Sequence, residues 1–368
     1  MSGSLLFISL ILGGAEPVAP EKSPREIAEQ ELRKHGAEFK TFAGYRFFLD
    51  YPDEKDQPKP PNAPLYIAIH GEKSSNVEQW TGGREKLKYL RNLPTLEELS
   101  LYPADSTDEY CEILPDLPQL RGLFFMGRGL TDRGMVQVGK LHRLEALSLL
   151  ETSITDEGLC HLKDTTTLRW LTLGSTNITD AGLVHLKDLK NLESLNLDGT
   201  QTTTAGLVHL KGLTKLKELR QPDPDPTRPS QISGLPYLAE MKELRGLELA
   251  TQPVTDDELK AVEGMKELRH LGLGLTTVTD KGLAHLQNLP KLESLCLNGT
   301  ALQGDGLKHL QSLPSLTHLY LEFSPLDDSA VEHLKQLKNL KSLRIESTNL
   351  SKKAREALQQ ALPKTKIE

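Results

Sequence analysis

The chain has 368 residues, 37% hydrophobic but only 5% aromatic, so any core has to be assembled from aliphatic side chains. Its 44 basic and 51 acidic residues leave a net charge of −7 with no basic stripe, which argues against a phosphate-backbone partner and so against nucleic acid. Three scattered cysteines, Cys111, Cys160 and Cys296, fit neither a disulfide framework nor a metal-ligand spacing.

The first element is an apolar run, LLFISLIL at residues 5–12, far short of the roughly 20 residues that span a bilayer. It suits the core of an export signal, with Gly13 and Ala15 as small residues before a cleavage at Glu16, although no Lys or Arg precedes it. Residues 1–15 are therefore expected to be a signal peptide and the protein to be exported to periplasm, envelope or exterior; without a true signal it stays cytoplasmic. Residues 16–92 form a lead-in of different composition. Ser23-Pro24-Arg25-Glu26 is a capping box with proline at the first helical position, and Gly36 ends that helix. Residues 38–42 and 45–51 read as a hairpin, 53–64 as a Pro-rich linker, and Leu65–His70 as a further strand.

From Leu93 onward one sentence repeats every 24 residues, opening at Leu93, Leu117, Leu141, Thr165, Leu189, Leu213, Met241, Met265, Leu289, Leu313 and Leu337. Only the sixth copy breaks step, and its extra residues fall in a proline-studded stretch near 221–235. A helix over residues 352–362 and a short final strand within a 350–368 cap close the series. In the third copy, Leu147 and Leu149 point inward from a strand while Ala146, Ser148 and Leu150 point outward. Thr155 or Asp156 then caps a short helix that buries Gly158, Leu159 and Leu162 on one side, the glycine permitting close approach to the neighbouring helix. Strands pack about 4.8 Å apart and helices about 8–10 Å, so parallel strands line the inside of an arc.

The repeat resembles the leucine-rich repeat family over roughly residues 65–368. The I-T-D-x-G-L core, as at residues 154–159, 178–183 and 278–283, is similar to the ribonuclease-inhibitor-like class, with repeats of the bacterial GALA and cysteine-containing types. The resemblance implies an α/β solenoid, a horseshoe with a concave parallel sheet and convex short helices, that binds a protein or peptide on the concave face. Some relatives carry an F-box that recruits a ubiquitin ligase; residues 20–92 show no such module.

Two series invite a metal hypothesis. His161, His185, His209, His285, His309 and His333 recur in phase, but on helices too far apart to share an ion, and a structural role at the border of each buried helix face accounts for them. Helix-start capping accounts for Asp132, Asp156, Asp180, Asp256 and Asp280. No catalytic set, cofactor motif or metal site emerges. The informative residues are outward ones on the sheet, which have no packing duty: Phe124, Met126, Leu150 and Trp170 beside Arg128, then Asn196, Asp198 and Arg220, then His270, Asn298, His318, Tyr320 and Arg344. The expectation is a monomeric, non-catalytic scaffold gripping a protein or peptide there. The alternative is a structural or self-associating envelope protein; further alternatives are an adaptor of ubiquitin-ligase type and an enzyme with its site near His70 or at the seam of the sixth and seventh repeats.

Overall fold

The computed structural model describes residues 22–41, 65–70, 79–102, 108–221 and 233–368. One sheet of fourteen strands runs in strict sequence order: β1 (Glu38–Thr41), β2 (Leu65–His70), β3 (Leu96–Tyr102), β4 (Gly122–Met126), β5 (Ala146–Leu150), β6 (Trp170–Thr172), β7 (Ser194–Asn196), β8 (Glu218–Arg220), β9 (Gly246–Glu248), β10 (His270–Gly272), β11 (Ser294–Cys296), β12 (His318–Tyr320), β13 (Ser342–Arg344) and β14 (Lys366–Ile367). Every pairing from β2 onward is parallel, and corresponding residues of successive repeats face one another, as in Leu147↔Leu171 and Leu171↔Leu195. The inward leucines are sealed: Leu147, Leu149, Ile154, Leu159 and Leu162 are all at most 2% exposed. Burying each such side chain is worth about 1.5–3 kcal/mol, so the period itself is the main source of stability.

At the first end, the capping box forms as expected, Ser23 accepting from the Glu26 amide and Glu26 reaching back to the Ser23 amide. β1 pairs antiparallel with β2, and residues 45–51, the second strand of the expected hairpin, lie outside the described residues. This makes β1 a lid on the sheet edge that would otherwise begin at β2.

The convex side carries the expected short helices. Most of them are 3₁₀ rather than α, among them Gly182–Leu186, Thr204–His209 and Gly282–Leu286. A 3₁₀ helix rises about 2.0 Å per residue against 1.5 Å, so five residues cover the length that an α-helix covers with nearly seven. A 24-residue repeat has few residues to spend there.

The aspartate series is also corrected. Threonine is the cap: Thr155 accepts from the Glu157 amide and Thr203 from the Ala205 amide. The aspartate instead reaches into the following repeat. Asp156 accepts from the backbone N–H and the hydroxyl of Thr179 at 2.8 and 2.6 Å, and Asp132 does the same with Thr155, Asp180 with Thr203 and Asp256 with Thr279. The glycine in each motif gives this bridge room, because a Cβ on Gly158, Gly182, Gly206 or Gly282 would overlap the carboxylate of the preceding repeat. Asp, Thr and Gly are therefore one device, a charge-assisted staple between neighbours. The six histidines sit half-buried at the border of the helix faces, His285 bonding Glu263 at 2.6 Å. Among the described residues no group of three or more His, Cys, Asp and Glu is arranged to hold a metal.

Candidate functional site: the concave face

Alternate residues of each strand project from the sheet in rows that run across the repeats. One row passes through Ala146, Trp170, Ser194, Glu218, Gly246, His270, Ser294 and His318, and the next through Ser148, Thr172, Asn196, Arg220, Glu248, Gly272, Cys296, Tyr320 and Arg344. The two ends of this face are unlike.

Toward the N-terminus the face is closed. Tyr66, Glu98, Ser100, Phe124 and Ser148 are buried despite their outward register. The Tyr66 hydroxyl donates to Ser100 Oγ at 3.0 Å, and the Tyr102 hydroxyl lies 3.4 Å from the same oxygen. The Phe124 ring and the Glu98 side chain close over the place that a side chain on Gly122 would occupy. Phe124 was expected as an open contact, and this is corrected: at 4% exposure it fills the face rather than offering it. Burial pushes the Glu98 carboxyl up to about 7, with Glu97 adding to the rise and Arg121 opposing it.

The next repeats are intermediate. Met126 is 43% exposed and Arg128 is exposed, while Leu150 and Trp170 are half-buried. The Arg169 guanidinium stands 4.3 Å from the centre of the Trp170 ring and is held by Glu193 at 2.5 Å. Asn196 accepts from the Asp198 amide.

Beyond β7 the face opens into a groove of about 840 Å³. Six of the expected residues line it together: Asp198, Arg220, His270, Asn298, Tyr320 and Arg344. His318 and Asn196 lie near it in the rows without lining it, and Phe124, Met126, Arg128, Leu150 and Trp170 belong to the other end. Sequence reasoning missed why the groove is there. Gly246 and Gly272 occupy outward positions in consecutive repeats and leave the floor low; nothing lies within 4 Å of a Cβ built on Gly246, and the Glu248 carboxylate rests over Gly272. Two glycines at outward strand positions were the legible signal. On the far wall, Asn298 donates to Glu322 at 2.8 Å and accepts from its amide, and Arg344 faces Tyr320 while pairing with Glu368 at 3.1 Å. Cys296 sits half-buried in the wall, and burial raises its thiol above the ordinary value, the reverse of an activated nucleophile.

An internalin from Listeria monocytogenes superposes with a TM-score of 0.59 at 21% identity, over 82% of this chain and 85% of that one. The fold is that of the leucine-rich repeat proteins. A leucine-rich repeat protein of Leptospira interrogans is similar at 18% identity and a TM-score of 0.44, over 80% of this chain and 96% of that one. The leucine-rich repeat ectodomain of an Arabidopsis thaliana receptor kinase, solved with Casparian strip integrity factor 2, gives 20% identity and 0.49, over 74% of this chain and 35% of that one. No family model and no curated protein matches the chain. Among the described residues, no helix of this chain is long and apolar enough to cross a membrane.

Proposed function

We propose that this leucine-rich repeat chain is a non-catalytic scaffold that binds an extended polypeptide in the groove over β8–β13. The observation that carries the reading is the groove itself, open above Gly246, with the Glu248 carboxylate over Gly272, and walled by exposed Arg220 and His270. Six strands at about 4.8 Å spacing span about 24 Å, the length of roughly seven extended residues. The mixture of Arg, Glu, His and Tyr on a rigid wall suits a polypeptide better than a small apolar ligand. The raised thiol of Cys296 supports a binding role over a nucleophilic one.

Finer features belong to the same proposal. The 24-residue period and the Asp–Thr–Gly staple support the ribonuclease-inhibitor-like class of repeats. The apolar N-terminal run supports export.

The test is affinity capture from the native host with the whole chain and with Gly246→Trp, which places an indole in open groove space without disturbing the core. Loss of the captured partner in the variant supports the assignment, and equal recovery by both proteins overturns it.

A further inference from the structure

After β4–β7 and β9–β13, one residue turns into the left-handed backbone region, and its N–H bonds a carbonyl of the next repeat, as in Ser175 to Asp198, Leu275 to Asn298, Gly299 to Glu322 and Phe323 to Glu346. Glycine fills this position at 127, 199 and 299, Ser or Thr at 175, 251 and 347, and Glu at 151. Two repeats place a large apolar side chain there. Leu275 and Phe323 adopt φ of +57° and +61°, a conformation that a bulky side chain disfavours. They gain little by it, since they are 64% and 69% exposed, more than any other large hydrophobic residue described. Leu275 leans over Gly299, its Cδ2 reaching the space where a Cβ would stand, so the repeat between the pair is kept low.

Folding gives no reason for these two side chains, and contact with another molecule does. The chemistry beside them is acidic. Glu322 precedes Phe323 and receives only the neutral Asn298 amide, and Glu346 follows at the equivalent place one repeat on, exposed and without a cation among the described residues. Like charges on adjacent strands repel unless something positive joins them.

We propose that Leu275, Gly299 and Phe323 form an apolar saddle on the rim of the groove that seats one large apolar side chain of the bound polypeptide, with an adjoining Lys or Arg of that polypeptide on Glu322 and Glu346. The inference rests on the groove's being a polypeptide site and adds the sequence preference of its occupant.

The probes are fluorescein-labelled heptapeptides with a central Lys-Phe-Lys, Lys-Ala-Lys or Glu-Phe-Glu, titrated with the whole chain by fluorescence anisotropy. The Lys-Phe-Lys peptide is expected to bind at least tenfold tighter than either of the others. Phe323→Gly and Phe323→Asn, both suited to the left-handed backbone, are expected to lose about tenfold in affinity with no fall in melting temperature. Equal binding of the three peptides, no binding of any, or unchanged affinity in both variants overturns the saddle. Gly246→Trp separates the two readings. If it abolishes peptide binding while the Phe323 variants do not, the groove stands and the saddle falls; if the Phe323 variants weaken binding and Gly246→Trp does not, the saddle stands and the groove falls. A concentration-dependent dimer that Phe323→Gly dissolves would make a second copy the occupant, and would overturn the peptide assignment.

Discussion

Gly182→Ala tests whether the Asp–Thr–Gly motif is one device. In an ordinary helix this exchange stabilises by about 0.5–1 kcal/mol, because alanine has less backbone entropy to lose. Here the new methyl group would overlap Asp156 Oδ1, which holds the Thr179 amide at 2.8 Å while the other oxygen holds the Thr179 hydroxyl at 2.6 Å. Hydrogen bonds to a charged group are worth about 1.5–3 kcal/mol each, and the part-exposed site argues for the lower end. Asp156→Ala should therefore cost about 3 kcal/mol. Gly182→Ala should sacrifice about one bond and recover part of it as helix propensity, for a net loss of about 1 kcal/mol. With Asp156 already removed, the methyl group meets no carboxylate and the exchange should become neutral or stabilising, a coupling of about 1–2 kcal/mol. Guanidinium unfolding of the four proteins, followed by far-UV circular dichroism with m-values compared, measures it. Effects that add to within about 0.5 kcal/mol would refute the staple.

Glu98 makes stability fall as pH rises. Its folded-state pKa of about 7 lies above the ordinary carboxylate value, so the folded chain holds the proton more tightly between about pH 4.5 and 7. Stability should decline across that window by about 3 kcal/mol and level off above it, and Glu98→Gln should flatten the profile in pH-dependent denaturation; a Glu98→Gln curve that keeps the wild-type slope would count against burial as the cause. Phe124→Ala should cost about 3–5 kcal/mol in thermal or chemical unfolding, as for a core aromatic, and leave partner capture by the folded fraction intact; a stable variant that loses its partner would return Phe124 to the binding surface. Thr202 stands where other repeats bury Ile, Val or Leu, spending its hydroxyl on Thr200 at 2.8 Å, so amides of residues 200–221 should exchange faster than those of 141–195; equal protection would contradict this.

The shared part of each repeat was legible because a fixed period admits few arrangements. The sealed positions of Leu147, Leu149, Ile154, Leu159 and Leu162 follow from alternation on a strand and one buried side of a turn. The same pattern cannot separate α from 3₁₀, since both bring Gly158, Leu159 and Leu162 to that side. It named Asp156 as a cap because a Thr-Asp pair begins the turn; only the register between repeats shows that Thr155 caps and Asp156 crosses to Thr179.

The site was less legible, for a reason that Phe124 and Phe323 illustrate together. Strand alternation states which side a residue faces but not what lies above it, so Phe124 read as exposed although Glu98, Tyr66 and Tyr102 crowd the same closed end of the sheet. Phe323 lies just past its strand, where alternation stops and the sign of φ decides direction, and a phenylalanine does not announce a positive φ as glycine does. The clue was comparative: Gly, Ser, Thr or Glu hold that place in the other described copies, so Leu275 and Phe323 are the two that put a large apolar side chain there. Residues that all copies share explain the solenoid, and residues that break a shared backbone requirement without gaining burial need a cause outside it. By that criterion the glycines at 246 and 272 and the exposed Leu275 and Phe323 mark one stretch of the sheet, β9–β12, where the chain departs from what its own packing requires.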